Sequence, residues 1–133
     1  MPAVKAPKTF DLTPPDLPGY RFSCVVLPPN TGTSHSLGHD HDDRGIEVPK
    51  AWGSLWVQIL DEDGNYLSGG ATFAASEKSV MCDTIEVPEE HRRKGIATYL
   101  YDRAEEVFGV PAEPSPILSP EAEAFWKKRR ATA

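Results

Sequence analysis

Residues 84–108 read TIEVPEEHRRKGIATYLYDRAEEVF, and this stretch decides the fold. A β-branched run ends at Pro88, a short basic loop leads to Gly95, and an amphipathic helix follows at once. Backbone N–H groups in the first turn of a helix have no helical partner, and the helix dipole adds positive potential there. A strand, a cationic turn and a helix start in succession therefore predict a site for a phosphate or pyrophosphate group.

The helix after Gly95 has the spacing of a core-facing helix. Ile96, Leu100, Ala104 and Val107 fall on one stripe, and such a stripe is the part of a helix that packs against a sheet. Glycine and proline just after residue 108 predict its end.

Four β-strands are predicted before this helix, at residues 20–27, 54–60, 66–74 and 80–87. Residues 61–65 (DEDGN) predict a tight hairpin turn, because Gly and Asn tolerate the positive φ that such turns require. The last three strands follow one another closely and predict an antiparallel meander. Residues 117–118 predict a further short strand.

A second helix is predicted from Ser119, which is a good N-cap residue with proline directly after it. Its expected packing residues are Ala122, Phe125 and Trp126. Antiparallel strands followed by helix, short strand and helix predict an α+β fold with a mixed, mostly antiparallel sheet.

Composition sets the domain organisation. A chain of 133 residues with 39% hydrophobic residues fits one globular domain, which we assign to residues 20–133. Residues 1–19 contain five prolines and few large apolar groups, so we expect an extended or disordered leader there. The net charge of −6 makes general nucleic-acid binding an unfavoured function.

The chain has two cysteines, Cys24 and Cys82, which both lie in apolar runs and are expected to be buried free thiols. No apolar stretch approaches the ~18 residues of a transmembrane helix, and residues 1–19 lack the apolar core of a signal peptide. The expectation is a cytoplasmic protein without a membrane partner.

The run Arg92-Arg93-Lys94-Gly95-Ile96-Ala97 after Val87-Pro88 resembles motif A of the GNAT superfamily of acyl-CoA-dependent N-acyltransferases. That motif is Arg/Gln-x-x-Gly-x-Gly/Ala, commonly after Val-x-Pro at the end of the fourth strand. Arg92 takes the first place, Gly95 the first glycine and Ala97 the last small residue. The strongest resemblance covers residues 78–108, and a weaker one covers residues 54–128.

The resemblance implies a GNAT-like sheet with a V-shaped cleft between the fourth and fifth strands. Acetyl-CoA is the implied cosubstrate, with its pyrophosphate on the glycine loop and its pantetheine arm in the cleft. The activity it implies is N-acetyltransfer to an amine by direct attack, with no metal. The implied cofactor-binding residues are Ile85, Val87, Arg92, Arg93, Lys94, Gly95, Ile96, Ala97 and Thr98.

For the base that accepts the amine proton, Asp83 and Glu86 are the candidates. Side chains alternate along a strand, so the two are expected on opposite faces. Asp83 has the same parity as Ile85 and Val87 and is preferred, while Glu47 is a more distant option.

The sequence departs from the family pattern in two ways. Trp126 stands where family members usually have a tyrosine that protonates the leaving thiolate, and an indole cannot act as a general acid at neutral pH. Residues 30–50 are polar where the family has two helices, and the sequence stops after the last helix where the family has a β-hairpin. The acceptor side is therefore expected to be reduced; a homodimer completing the site, an open pocket for a large acceptor, and loss of catalysis remain alternatives.

Two further functions are kept open. One is a catalytically inactive GNAT-fold module that binds acyl-CoA. The other is a small interaction protein whose basic segments, residues 92–94 and 127–130, contact an acidic partner or nucleic acid. Residues 35–43 hold three histidines and three aspartates, but their spacing favours a solvated loop over a metal site. The acceptor amine, whether small molecule or protein, is not identified by the sequence.

Overall fold

The computed structural model describes residues 4–29, 52–114 and 120–132. Within these ranges the chain forms a six-stranded sheet with strand order β1-β2-β3-β4-β5-β6. The strands are β1 (Lys8–Leu12), β2 (Tyr20–Leu27), β3 (Gly53–Asp61), β4 (Tyr66–Ala75), β5 (Val80–Glu86) and β6 (Ala112–Glu113). Neighbours pair antiparallel from β1 to β5, and β6 pairs parallel to β5. The protein is therefore an α+β fold with a mixed sheet, as the sequence predicted.

The four strands predicted at residues 20–27, 54–60, 66–74 and 80–87 are confirmed to within one residue at each end. The turn between β3 and β4 is held by the side chain of Asp61, whose Oδ1 accepts hydrogen bonds from the backbone N–H groups of Asp63 (2.9 Å) and Asn65 (2.8 Å). Gly64 supplies the positive φ of 88°. The bonds from Asn65, above all from its side chain, lower the pKa of the Asp61 carboxyl.

The leader differs from the sequence expectation, because strand β1 forms inside it. Residues 8–12 contain no proline, and they pair with β2 in a register that sets Phe10 opposite Cys24. Leu17, in the connection from β1 to β2, is buried in the core. The prolines therefore flank a strand rather than preventing one.

Two helices, α1 (Ile96–Phe108) and α2 (Pro120–Thr132), complete the described structure. The apolar stripe of α1 is confirmed for Ile96, Leu100 and Ala104, which are buried, but its last fully buried residue is Phe108 rather than Val107, which is half-buried. Gly109 ends the helix with a φ of 68°. Among the described residues, neither helix combines the length and apolar character needed to cross a membrane.

Helix α2 is connected to α1 mainly by aromatic stacking and one arginine. The ring centroid of Tyr101 lies 5.1 Å from those of both Phe125 and Trp126. Arg129 donates hydrogen bonds to Asp102 (2.8 Å) and Glu105 (3.2 Å). Phe125 and Trp126 thus pack as predicted.

The helix-covered face carries the core. Side chains from alternate positions of the strands meet those of α1 there, and the largest fully buried ones are Phe22, Phe73, Phe108, Leu55, Ile59, Ile96, Leu100 and Val80.

The strand predicted at residues 117–118 and the N-cap predicted at Ser119 lie outside the described residues.

Candidate functional site

The candidate site is the connection from β5 to α1, and it begins with an irregular strand. The register pairs Thr72 with Thr84 but Phe73 with Cys82, so Asp83 is an extra residue in β5. This β-bulge changes which side chains share a face. Both carboxylate oxygens of Asp83 are buried.

The bulge corrects the alternation argument for the two candidate bases. Cys82 and Ile85 both take the register of the covered face, opposite Phe73 and Ala71, although they are three residues apart. Strict alternation therefore does not hold across Asp83, and its sequence parity with Ile85 and Val87 does not place it on their side. Glu86 is exposed and lies opposite Gly70 on the other face.

Hydrogen bonds from the loop to the last residues before it fix the loop against the end of β5. After Pro88 the chain makes one 3-10 turn at Glu89–His91, in which the backbone N–H of His91 donates to the Pro88 carbonyl at 2.8 Å. Arg92 Nε then donates to the carbonyl of Val87 at 2.7 Å. Arg92 therefore shapes the loop as well as contributing charge to it.

Tyr20 at the start of β2 connects the loop to the sheet. Its hydroxyl is 2.7 Å from Nδ1 of His91, and the two rings meet edge to face with centroids 5.4 Å apart. The ammonium of Lys94 lies 5.8 Å from the centroid of the Tyr20 ring. The contact of Tyr20 with His91 joins residues 71 positions apart in the sequence, and no local pattern signalled it.

The start of α1 requires an unusual backbone. Gly95 is the N-cap residue with a φ of 88°, and Arg93 has a φ of 63°. A side chain at Gly95 would meet no atom within 4 Å, so the backbone conformation, rather than lack of space, favours glycine there. The first helical bond runs from the N–H of Tyr99 to the carbonyl of Gly95 at 3.0 Å. The helix therefore supplies no partner for the N–H groups of Ile96, Ala97 and Thr98.

The charges around the start of α1 are the reverse of those that normally stabilise a helix. Its first turn contains no acidic residue and no side chain caps it, whereas the first turn of α2 contains Glu121 and Glu123. Arg92, Arg93 and Lys94 precede α1 and are exposed. Because the helix dipole is positive at this end, three cations here are unfavourable unless an anion lies near them. Glu89 and Glu90 in the 3-10 turn are the nearest acidic residues along the chain.

The remaining cofactor-binding candidates divide between core and surface. Ile96 is buried in the core, and Ile85 and Val87 are partly buried against it. Ala97 is half-buried and Thr98 is exposed. The structure thus places an exposed basic loop and the first turn of α1 directly after β5, with the buried side chain of Ile96 beneath them.

Trp126 is a packing residue, only 5% exposed. It shares a buried cluster with Tyr101, and the two rings meet edge to face with centroids 5.1 Å apart. Burial raises the pKa of the Tyr101 phenol, and burial also raises that of Tyr99. Neither tyrosine therefore has the lowered pKa that would favour proton donation at neutral pH.

The two cysteines are free thiols, as the sequence predicted. Burial raises the pKa of each from its ordinary value to about 12. A thiol in this state is protonated at neutral pH, and since the thiolate is the nucleophile, neither cysteine is a candidate for covalent catalysis.

The chain matches no protein-family model, no curated protein and no solved structure.

Two sequence candidates lie outside the described residues: Glu47 and the histidine-rich stretch at residues 35–43. In the ranges that the structure does describe, no group of three or more His, Cys, Asp or Glu residues is placed to hold a metal ion.

Proposed function

We propose that this protein binds acetyl-CoA at the β5–α1 connection and transfers the acetyl group to an amine. The observation that carries the proposal is the start of α1. An exposed run of three cations leads into a glycine N-cap with positive φ, and the first helical turn has neither an acidic residue nor a capping side chain. A bound pyrophosphate would supply the missing negative charge and accept hydrogen bonds from the N–H groups of Ile96, Ala97 and Thr98.

The side chains of the loop would have different tasks. Arg93 and Lys94 would contact phosphate oxygens, Arg93 through a planar guanidinium and Lys94 as a mobile point charge. Arg92 would mainly hold the loop in shape, because its Nε bonds to the Val87 carbonyl. Tyr20 would position the loop through His91.

The V-shaped cleft of the GNAT resemblance would open beside β5. The ladder between β5 and β6 consists of two residue pairs, Val80 with Ala112 and Met81 with Glu113, at the first two residues of β5. The pantetheine arm would lie along the later part of β5, near Ile85 and Val87. The bulge at Asp83 supports this site, because bulges redirect backbone groups next to active sites.

The transfer itself would be a direct displacement. The neutral amine attacks the thioester carbonyl carbon, a C–N bond forms, and the C–S bond breaks as coenzyme A leaves as a thiolate. A carboxylate accepts the proton released by the nitrogen, directly or through water, and solvent protonates the thiolate. Glu86, which is exposed, and Asp83, with its buried carboxylate, are the two candidate bases.

Calorimetric titration with acetyl-CoA tests binding, and the chain offers a matched pair of variants. Gly95 and Gly109 cap the two ends of α1, both have positive φ, and a side chain at either would meet no atom within 4 Å. Asn tolerates this conformation, so Gly95→Asn and Gly109→Asn should perturb the fold similarly. We expect Gly95→Asn to raise the Kd by about tenfold or more, equivalent to about 1.4 kcal/mol, because its side chain enters the phosphate position. Gly109→Asn should bind as the wild type does; absence of wild-type binding contradicts the proposal.

A second candidate is an acyl-CoA-binding module without catalysis, which is favoured by the burial of Trp126 where a proton donor would stand. Release of free coenzyme A thiol, measured with acetyl-CoA and a panel of amines, separates the two. Turnover that falls in Glu86→Gln or Asp83→Asn, while acetyl-CoA affinity is retained, supports transfer. Binding without thiol release for any amine supports the module.

A further inference from the structure

The face of the sheet opposite the helices carries a cleft of about 500 Å³. That volume is within the range of small-molecule sites, about 300–1,000 Å³. Its lining includes side chains of β2, β3, β4 and β5, and the strand registers define their arrangement. One row across the strands is Ser23, Gln58, Gly70 and Glu86, and the next is Val25, Trp56, Thr72 and Thr84.

Gly70 is the position of the first row without a side chain, and a Cβ there would meet the backbone carbonyl oxygen of Val57 on the neighbouring strand. Gly70 lies between Gln58 and Glu86, whose side chains are exposed, and it contributes no side chain of its own. Since neighbouring strands are about 4.8 Å apart, the backbones of Gln58 and Glu86 are separated by roughly 10 Å. A ligand group could therefore lie over Gly70, between an amide and a carboxylate.

The rim of the cleft is aromatic and irregular. Tyr66 is 58% exposed, and it is the only large apolar side chain so exposed among the residues that the structure describes. Ser68 beside it has a φ of 61°, in an irregularity that sets residues 67–69 against Ile59. Strained, bulged backbone of this kind concentrates at functional sites. Trp56 forms a second apolar wall.

Glu86 is the only charged side chain that lines the cleft in the described part of the chain. Arg21, next to Ser23 along the same face of β2, is neutralised by Asp11, which accepts hydrogen bonds from its Nε (3.0 Å) and Nη2 (2.6 Å). The other polar groups are neutral, including the Thr72 and Thr84 hydroxyls, which are 2.7 Å apart. The cleft therefore combines one negative charge with flat apolar walls.

We infer that this cleft binds a small molecule with one protonated amine on a flat, apolar body. The ammonium lies over Gly70 and donates to the carboxylate of Glu86 and the amide oxygen of Gln58. The body lies between Trp56 and Tyr66, whose rings also attract a cation through their faces. Binding of this ligand does not depend on the proposed function. The further step of identifying it as the acceptor of the acetyl group rests on that function.

The test uses phenethylamine as the probe, without acetyl-CoA, so that its outcome is independent of the coenzyme titration. Two-dimensional amide NMR of the labelled full chain should show saturable shifts at Gln58, Gly70 and Glu86 at millimolar probe. We expect 2-phenylethanol, which has the same body without the charge, to bind about tenfold more weakly, as hydrogen bonds to charged groups indicate.

Three variants complete the test. Glu86→Gln keeps the size of the side chain and should weaken phenethylamine binding about tenfold, whereas Glu77→Gln, an exposed acid in the β4–β5 turn, should leave it unchanged. Gln58→Lys introduces a cation into the cleft and should abolish binding. The inference is overturned if phenethylamine gives no saturable shifts, if the alcohol binds equally well, or if Glu86→Gln and Glu77→Gln behave alike. The spectrum of each free variant reports whether it is folded.

Discussion

The two faces of the sheet differ in what they contribute. On the covered face, Phe22, Phe73 and Leu100 are fully buried among the strands and α1. On the opposite face the same strands present Gln58, Thr84 and Glu86 to solvent. Because side chains alternate along a strand except where a bulge interrupts it, one sequence builds both faces at once. The buried side chains of the covered face therefore supply most of the stability. The face opposite the helices, called the open face below, is available for binding.

The largest difference between the faces should appear in paired alanine substitutions at adjacent positions of β4. Phe73→Ala removes a fully buried ring from the covered face and should lower the free energy of unfolding by about 3–5 kcal/mol. Thr72→Ala removes one hydroxyl contact with Thr84 on the other face and should lower it by about 1 kcal/mol or less. Urea denaturation measures the free energy of unfolding of both variants. Equal losses would contradict the conclusion that the covered face supplies most of the stability.

The thiols of the covered face provide a chemical test. Because burial raises the pKa of Cys24 and Cys82 to about 12, both should resist a thiolate-directed disulfide reagent at pH 8 in the folded protein and react once urea unfolds it. Because the pKa of each thiol is higher in the folded chain, the thiols of the unfolded chain ionise first as the pH rises. The contribution of the two buried thiols to the free energy of unfolding is therefore complete below pH 9 and is lost as the pH rises toward 12. Fast labelling of the folded chain would show that these side chains are not protected.

The contact between the helices should contribute less than the core does. Arg129→Ala removes two hydrogen bonds to carboxylates from a side chain that is 16% exposed. Its partners are more exposed, so we expect a loss of about 1 kcal/mol. Lys127→Ala, at an exposed position of the same helix, should change the urea midpoint little. A similar midpoint for both variants would show that the arginine pair does not fasten α2 to α1.

The smallest stability effect is expected where the sheet holds the basic loop. Tyr20→Phe removes the hydroxyl that bonds to His91 at 2.7 Å and should destabilise the fold by about 1 kcal/mol or less. It should nevertheless increase amide hydrogen exchange in residues 89–95, because the loop loses its side-chain anchor. Tyr66→Phe, on the open face, is the control and should leave exchange in that loop unchanged.

Much of the fold could be predicted from local patterns. The apolar runs at residues 20–27 and 54–60 predicted β2 and β3, and the stripe from Ile96 to Ala104 predicted α1. Strand β1 was missed, because the proline count of the leader hid a short run whose pairing depends on β2.

The candidate site was only partly predictable. The positive φ at Gly95 agrees with the motif, whereas the contact of Tyr20 with His91 joins distant residues and has no sequence signature. The bulge at Asp83 is set by the register with β4, so the alternation rule could not locate the carboxylate. The cleft on the open face also depends on registers, which bring Gln58, Gly70 and Glu86 into one row.

We propose above that the β5–α1 connection binds acyl-CoA. The most direct test of this proposal is a titration of the labelled full chain with acetyl-CoA, followed by amide NMR. We expect saturable shifts that are largest at the amides of Gly95, Ile96, Ala97 and Thr98, with smaller ones at Ile85 and Val87. Shifts confined to other residues, or no shifts at all, would contradict it.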